Sequence, residues 1–404
     1  MPDVTESVAA PATASTLRTV VPGVAMIAVS FGLARYGYGL LLPEMQAELG
    51  MSSMVAGVVA SGTYVSYLVA NVAVVAVTAR WGTRVALAMA ALSAAAGMTL
   101  VAMAPNAAVA GIGVLVGGAS SGFAFPPYAD LVDRHVSGRR RDLAWSTISS
   151  GTGWGVALAG PVAILAGGHW RLVWGLFVGL ALAAGAVAVW LAPPETRRAR
   201  RPQLSWSWFF CPKSRPLLLS AVLVGAGSAV WWTFSVDALR ESGIEATAAQ
   251  TVYAVCGAAS ILASGAGAVF SRIGLRAGYL VADTLLAAAL TVLGLATASL
   301  AGAMTAAILF GVFYCAVIAA HGVWSSRVFA DHPAAGLSAV NTALTIGTLA
   351  GPSLAGVVIA RAGFTAALVG AAAVTLTALV FCPPSRRRQE VLARHRCTAA
   401  RVRS

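Results

Sequence analysis

Apolar runs of roughly twenty residues recur along the chain, separated by short polar gaps. At a helical rise of about 1.5 Å per residue, each run can cross a hydrocarbon core of about 30 Å. The pattern predicts twelve spans: 19–43, 52–78, 84–104, 107–130, 142–166, 171–192, 216–238, 247–270, 277–299, 301–325, 335–360 and 363–382. The runs are continuous rather than alternating, which argues against a β-barrel. The expected fold class is therefore all-α integral membrane, with twelve transmembrane helices in two six-helix bundles.

The division into two bundles comes from a repeat. Arg80-Trp81-Gly82-Thr83-Arg84 and Arg272-Ile273-Gly274-Leu275-Arg276 carry the same Arg-x-Gly-x-Arg pattern 192 residues apart, each in a basic gap between apolar runs. Gly160-Pro161 and Gly351-Pro352 lie 191 apart, and Gly50 and Gly243 lie 193 apart. Tandem six-span halves related by an axis along the membrane normal are a known transporter architecture, with the binding site at the repeat interface. The expected segments are an N-terminal tail at 1–18, a bundle at 19–192, a linker at 193–215, a second bundle at 216–382 and a basic tail at 383–404. In the linker, Trp206, Trp208, Phe209 and Phe210 also suit an interfacial helix.

Charge orients the spans. With both termini cytoplasmic, 23 of the 27 basic residues fall inside, three (Arg171, Arg240 and Arg361) fall outside, and Arg35 lies within a span. The positive-inside rule selects this topology, and the expected location is the cytoplasmic (plasma) membrane. The net charge of +13 thus reads as a topology signal rather than a nucleic-acid footprint. Composition agrees: of 404 residues, 58% are hydrophobic and 10% charged, and the 42 glycines suit close helix packing. The five cysteines lack metal spacing and read as free thiols. The first apolar stretch is too long for a cleavable signal and is expected to remain as a helix.

The chain resembles the major facilitator superfamily over roughly 17–385. In that family the loop between helices two and three reads roughly Gly-x-x-x-Asp-Arg-x-Gly-Arg-Arg, with a weaker copy between helices eight and nine. Arg80, Gly82 and Arg84 match, as do Arg272, Gly274 and Arg276, while Ala79 and Ser271 stand where the family has its acid. That loss puts the strength of the cytoplasmic gate in doubt. Gly151-Thr152-Gly153-Trp154-Gly155 with Gly160-Pro161, and Gly347 with Gly351-Pro352, are similar to a Gly-Pro element associated with exporters. Phe31-Gly32-Leu33-Ala34-Arg35-Tyr36, continuing to Leu40-Leu41-Leu42-Pro43, resembles the opening helix of a little-characterised bacterial branch. The resemblance implies that helices one, four, seven and ten line a central cavity.

Arg35 is the leading candidate for cargo binding. An arginine inside a span costs at least ~2.5 kcal/mol unless it meets water or a partner. Snorkelling to the interface is the alternative. A guanidinium beside aromatics suits an anionic or hydrogen-bonding aromatic cargo. Tyr38, Tyr67, Asn71, Trp154, Trp231, Trp232, Tyr314, His321 and Asn341 are the other candidate cavity residues, with helix packing or helix-to-helix hydrogen bonding the alternative for Tyr67, Asn71, His321 and Asn341, and an outer aromatic belt the alternative for Trp231 and Trp232. Arg80, Gly82, Arg84, Asp130, Gly155, Gly160, Pro161, Arg272, Gly274, Arg276, Gly351 and Pro352 are gating candidates. Glu44, Asp283 and His321 are weak candidates for proton coupling, with pairing to a nearby arginine the alternative for Asp283. Phe123-Ala124-Phe125-Pro126-Pro127 is expected to end or bend span four.

No phosphate-cradling loop, metal cluster or catalytic constellation is evident, so neither a cofactor nor an enzyme is expected. The leading expectation is a secondary transporter that exports a metabolite or drug-like compound by rocker-switch alternating access, with proton coupling. Its partners are a small-molecule substrate, membrane lipid and protons, with no nucleic acid, and it is a monomer. Organic-anion uptake is the alternative within the class. A receptor or scaffold that does not transport is the alternative outside it.

Overall fold

The computed structural model describes residues 12–136, 138–193, 213–330 and 333–384. Linker residues 194–212, with their aromatic candidates and Cys211, lie outside the described residues, as do most of the basic tail and Cys397. The described residues are helical, without strands. The helices are α1 (Ala12–Ile27), α2 (Gly37–Leu49), α3 (Ser53–Trp81), α4 (Thr83–Ala102), α5 (Ala107–His135), α6 (Gly138–Ser149) and α7 (Gly151–Leu165). They continue with α8 (Trp170–Leu191), α9 (Arg215–Glu241), α10 (Ala246–Leu262), α11 (Ala266–Ile273), α12 (Leu275–Leu295), α13 (Leu300–Val328) and α14 (Pro333–Thr377).

Among the described residues, ten helices are long and apolar enough to cross a membrane. Two departures separate this number from the predicted spans. The run predicted as 247–270 is divided into α10 and α11 by a 3-10 turn at Ala263–Gly265. The last two predicted runs join in α14, where Gly363 at φ 80°, ψ 175° breaks the helix. Span four also differs from expectation: α5 runs through Pro126 and Pro127 to His135.

The repeat has structural counterparts. Gly82 (φ 90°, ψ 169°) and Gly274 (φ 87°, ψ 148°) turn the chain alike between consecutive helices, in a conformation open to glycine. Two residues on, Arg84 donates from Nε and an Nη to the Ala192 carbonyl at 3.0 and 2.7 Å. Arg276 donates to the Pro383 carbonyl at 3.0 Å. Each motif arginine thus holds the end of the last helix of its own half. At the opposite end, Gly50 (φ 64°) and Gly243 (φ 88°) are both left-handed, and the following residues bond back five positions, Met51 to Gln46 and Ile244 to Leu239. We call the end carrying Gly82 and Gly274 the motif end, and the other the far end.

The Gly-Pro pairs align differently from the sequence offset of 191. Gly151 and Gly155 seat against Val24 and Ala28, whereas Gly347 and Gly351 seat against Val222 and Ala226. These equivalents are 196 apart, so Gly351 corresponds to Gly155 rather than Gly160. Pro161 is exposed, whereas the Pro352 carbonyl lies against Gly57. Packing of small residues, not the proline, is what the two copies share.

Helices of the first 193 residues pack mainly on one another, as do those after 213. The main contacts between these groups are α2 with α9, α3 with α14 and α7 with α10. Most close approaches lie toward the far end. Gly39 meets the Trp232 carbonyl, Gly57 the Pro352 carbonyl, Gly356 the Ser53 carbonyl and Gly160 Ala254. A side chain at any of these glycines would hold the backbones apart.

Candidate functional site

The first span is not a simple helix. A π segment at Ala28–Leu33 is followed by a turn at 34–36, with Ala34 and Tyr36 bonding back five residues to Val29 and Phe31. π-Bulges are rare and gather at functional sites. Gly32 lies against Gly155 of α7, which lets the widened turn pack closely. Arg35 emerges immediately after it, at the seam between the two groups of helices.

The Arg35 side chain is buried at 8% exposure. Its guanidinium carbon lies 4.0 Å from the Tyr64 ring centre, 5.0 Å from Tyr67, 5.5 Å from Phe31 and 5.9 Å from Tyr36. No described carboxylate forms an ion pair with it, and its Nε has no hydrogen-bond partner among the described residues. The rings and a side-chain hydrogen bond with Tyr64 compensate the charge, and a desolvated cation–π contact is worth roughly 2 kcal/mol or more. Arg35 therefore sits inside the fold rather than snorkelling.

Arg35, Tyr38, Thr63, Tyr64, Trp232 and Thr233 border a small cavity whose free space matches about one water molecule. The far side of this cavity is sealed. Tyr36 stacks on Trp232 at 4.3 Å, and the Tyr253 hydroxyl donates to the carbonyls of Tyr36 at 2.8 Å and Trp232 at 3.3 Å. Tyr38 donates to the Ala56 carbonyl at 3.3 Å. Tyr314 meets Trp232 edge-on at 5.7 Å. Across the seam, the Asn341 amide donates to the Tyr67 hydroxyl at 2.6 Å, and the Ser61 and Ser353 hydroxyls lie 2.7 Å apart. At the far end, with its amide nitrogen facing Asp237, Gln46 donates to both carboxylate oxygens at 3.0 and 2.9 Å.

The structure thus brings together Arg35, Tyr38, Tyr67, Trp232, Tyr314 and Asn341. Four expected cavity residues stand apart. Trp231 is fully buried and stacks on Phe310 at 4.4 Å inside the second group of helices. Trp154 is 54% exposed, because the faces of α7 that pack on its neighbours carry Gly151, Gly153 and Gly155. His321 is enclosed near the motif end, bonded at 2.8 Å to Ser220. Asn71 is half-buried one helical turn beyond Tyr67, away from Arg35.

Among the gating candidates, Asp130 pairs with Arg134 at 2.8 Å on the same helix. Arg80 and Arg272 are exposed. Arg84 and Arg276 act within their own halves, through Ala192 and Pro383. Glu44 is half-buried, with one carboxylate oxygen lacking a partner among the described residues. Asp283 is fully buried, and the arginine partner expected for it is absent from the described residues: neither oxygen has a hydrogen bond or ion pair, because Arg276 is turned to Pro383. Nothing in the pattern of residues marked Tyr253, Gln46 or the π segment, which act through backbone atoms and folded proximity. Tyr64 shared with Tyr67 the reading from sequence of a residue that lines the path or packs, whereas Tyr36 was visible only as the aromatic after Arg35.

This bundle of membrane-length helices has the fold of solved transporters. Two structures of the nucleoside transporter NupG share it. One, of a single-residue mutant, has a TM-score of 0.72 at 14% identity, covering 90% of this chain and 98% of that one. The other NupG structure also scores 0.72, at 12% identity and coverage of 91% and 98%. A bacterial homologue of the human lysosomal transporter Spinster, in an inward-facing and unoccupied conformation, scores 0.69 at 14% identity, covering 91% and 94%. No curated protein matches the sequence. The chain belongs to the family described as uncharacterised MFS-type transporter YbfB, whose model matches residues 27–382. It is a multi-pass membrane protein of a transporter family, and its class implies a small-molecule substrate.

Proposed function

We propose that the chain is a twelve-span secondary transporter that exports a small organic molecule by alternating access. Two six-span halves, 19–192 and 216–382, pivot about the Arg35 site and are joined by the linker 193–215. The breaks at Ala263–Gly265 and Gly363 fit this number, each lying in or between predicted spans. The distribution of basic residues supports a cytoplasmic motif end and cytoplasmic termini. The far end is then the outer face, and its seal supports a state that loads from the cytoplasm.

The single observation carrying the site assignment is a buried guanidinium at the seam, ringed by Tyr64, Tyr67, Phe31 and Tyr36 and lacking an acidic partner among the described residues. A cargo with an anionic or hydrogen-bonding group beside a flat apolar body fits that environment. Tyr38, Trp232, Tyr314 and Asn341 complete the proposed wall. The outer glycine contacts and Tyr253 form the gate, and a proton gradient drives export. The same uncompensated cation supports organic-anion uptake as the second reading, distinguished by the direction of net flux.

The test is flux in proteoliposomes of defined orientation against a panel of labelled metabolites and antimicrobials. Saturable flux that follows an imposed pH gradient and is lost in Arg35→Ala is the expected result. Flux indifferent to Arg35 would remove the site from the mechanism, and flux indifferent to pH and ionophores would replace coupling by facilitation.

A further inference from the structure

A second polar cluster lies inside the C-terminal half, near the motif end and away from Arg35. The Ser220 hydroxyl on α9 lies 2.7 Å from the Tyr279 hydroxyl on α12 and 2.8 Å from His321 Nε2 on α13. Tyr279 also reaches the Ala378 carbonyl, beyond α14, at 3.3 Å, and its ring lies 5.7 Å from the imidazole. Asp283 stands one turn beyond Tyr279 on the same face of α12. Asp283 and His321 are fully enclosed, and Ser325 nearly so. Both carboxylate oxygens, His321 Nδ1 and Ser325 Oγ lack hydrogen-bond partners among the described residues.

The duplication provides an internal comparison. Arg84 and Arg276 fix an offset of 192 between α4 and α12, which matches Tyr279 to Leu87 and Asp283 to Ala91. Asn106 and Ser299 cap α5 and α13 in the same way, at an offset of 193, which matches His321 to Tyr128 and Ser325 to Val132. Leu87, Ala91, Tyr128 and Val132 belong to one apolar cluster in the N-terminal half. The N-terminal copy therefore fills this place without an acid or an imidazole, the Tyr128 hydroxyl being the one polar side-chain atom among these four counterparts. Enclosing an unpaired carboxylate costs several kcal/mol, and the C-terminal half bears that cost alone.

We propose that Asp283 is a proton-binding site peculiar to the C-terminal half, one helical turn from Tyr279 at the edge of the cluster that Tyr279 forms with Ser220 and His321. The step is a simple protonation: a carboxylate oxygen takes H⁺ and becomes a neutral carboxylic acid, whose new O–H seeks an acceptor in the cluster. The titratable group beside it on α12 is Tyr279, and that tyrosine is faced in turn by Ser220 on α9, His321 on α13 and Cys382 after α14. Arg276 is engaged by Pro383, and no described cation pairs with Asp283. A proton fits better than a metal ion, because the described residues offer no group of three His, Cys, Asp or Glu able to hold one. Its use in transport rests on the proton-coupled reading above, but the site itself does not.

Infrared difference spectra of the purified full chain in lipid, taken across a pH titration with and without sodium, test the site. The expected result is a carboxylic-acid C=O band that titrates without sodium, is lost in Asp283→Asn and persists in Asp237→Asn. An Asp283→Asn spectrum retaining every titrating acid band of the parent overturns the proposal. So does a band that responds to sodium at fixed pH. A variant rebuilt on the N-terminal pattern, Tyr279→Leu with Asp283→Ala and His321→Tyr, is expected to fold and melt at or above the parent temperature without that band. Failure of the rebuilt variant to fold would show that the cluster is structural and overturn the proposal as well. Absence of flux in every assay, with this band present, would count against the transport reading alone.

Discussion

The Asn341 amide donates to the Tyr67 hydroxyl at 2.6 Å, and the ring of that same tyrosine lies 5.0 Å from the Arg35 guanidinium. One residue on the C-terminal side of the seam therefore positions a ring that faces the buried cation on the other. A neutral hydrogen bond is worth about 1 kcal/mol net, which corresponds to roughly fivefold in a two-state equilibrium. Asn341→Ala is expected to shift the population by about that factor away from the observed state. Distance distributions between spin labels across the seam measure it, and an unchanged distribution would show that the bond does not bias the equilibrium.

Among the described residues Arg35 has no acidic partner to release, so its replacement leaves no orphaned carboxylate there. Arg35→Gln is expected to insert and fold normally while losing at least roughly tenfold in flux of a cargo that binds there, the equivalent of about 1.4 kcal/mol. Arg35→Lys is expected not to restore it, because an ammonium lacks the planar, weakly hydrated face that lies over Tyr64 and Tyr67. Full flux in the lysine variant would reduce the site to charge alone.

The transporter fold was legible because it depends on features that sequence carries directly: the length of apolar runs, basic gaps and repeated turn glycines. The Arg-x-Gly-x-Arg copies identify equivalent positions because Gly82 and Gly274 need the same backbone conformation. Arg35 stood out through the cost of a cation in hydrocarbon. Side-chain direction was less visible. Trp231 and Trp232 are adjacent in sequence, yet one is packed on Phe310 and the other meets Tyr36 across the seam. The Gly-Pro match at 191 was displaced because glycines are common and only contacts reveal which of them bears the neighbouring helix. The π segment was hidden because its extra residue leaves no distinct compositional mark.

Arg84 and Arg276 provide a matched pair of stability tests. Each gives a charged hydrogen bond to a carbonyl at the end of the last helix in its half, Ala192 or Pro383. Such bonds contribute about 1.5–3 kcal/mol. Arg84→Ala, which loses two contacts, is expected to lower the melting temperature at least as far as Arg276→Ala. Because both contacts lie within their own halves, spin-label distances across the seam should change little in either variant. A large change would return the motif arginines to a direct gating role.

Gly39 supplies the sharpest test of the seal. A Cβ there would overlap the Trp232 carbonyl, a backbone atom that cannot rotate away, whereas one at Gly175 would meet open space. Gly39→Ala is therefore expected to hold α2 and α9 apart and expose the cavity from the far end, while Gly175→Ala behaves as the parent. Thr233, which borders the cavity, can report this as an introduced cysteine once the five native cysteines, Cys211, Cys256, Cys315, Cys382 and Cys397, have been replaced. Its labelling by a membrane-impermeant reagent from the far side should accelerate several-fold in Gly39→Ala. Equal rates in the parent and both variants would mean that the close approach of Gly39 to Trp232 does not close the path.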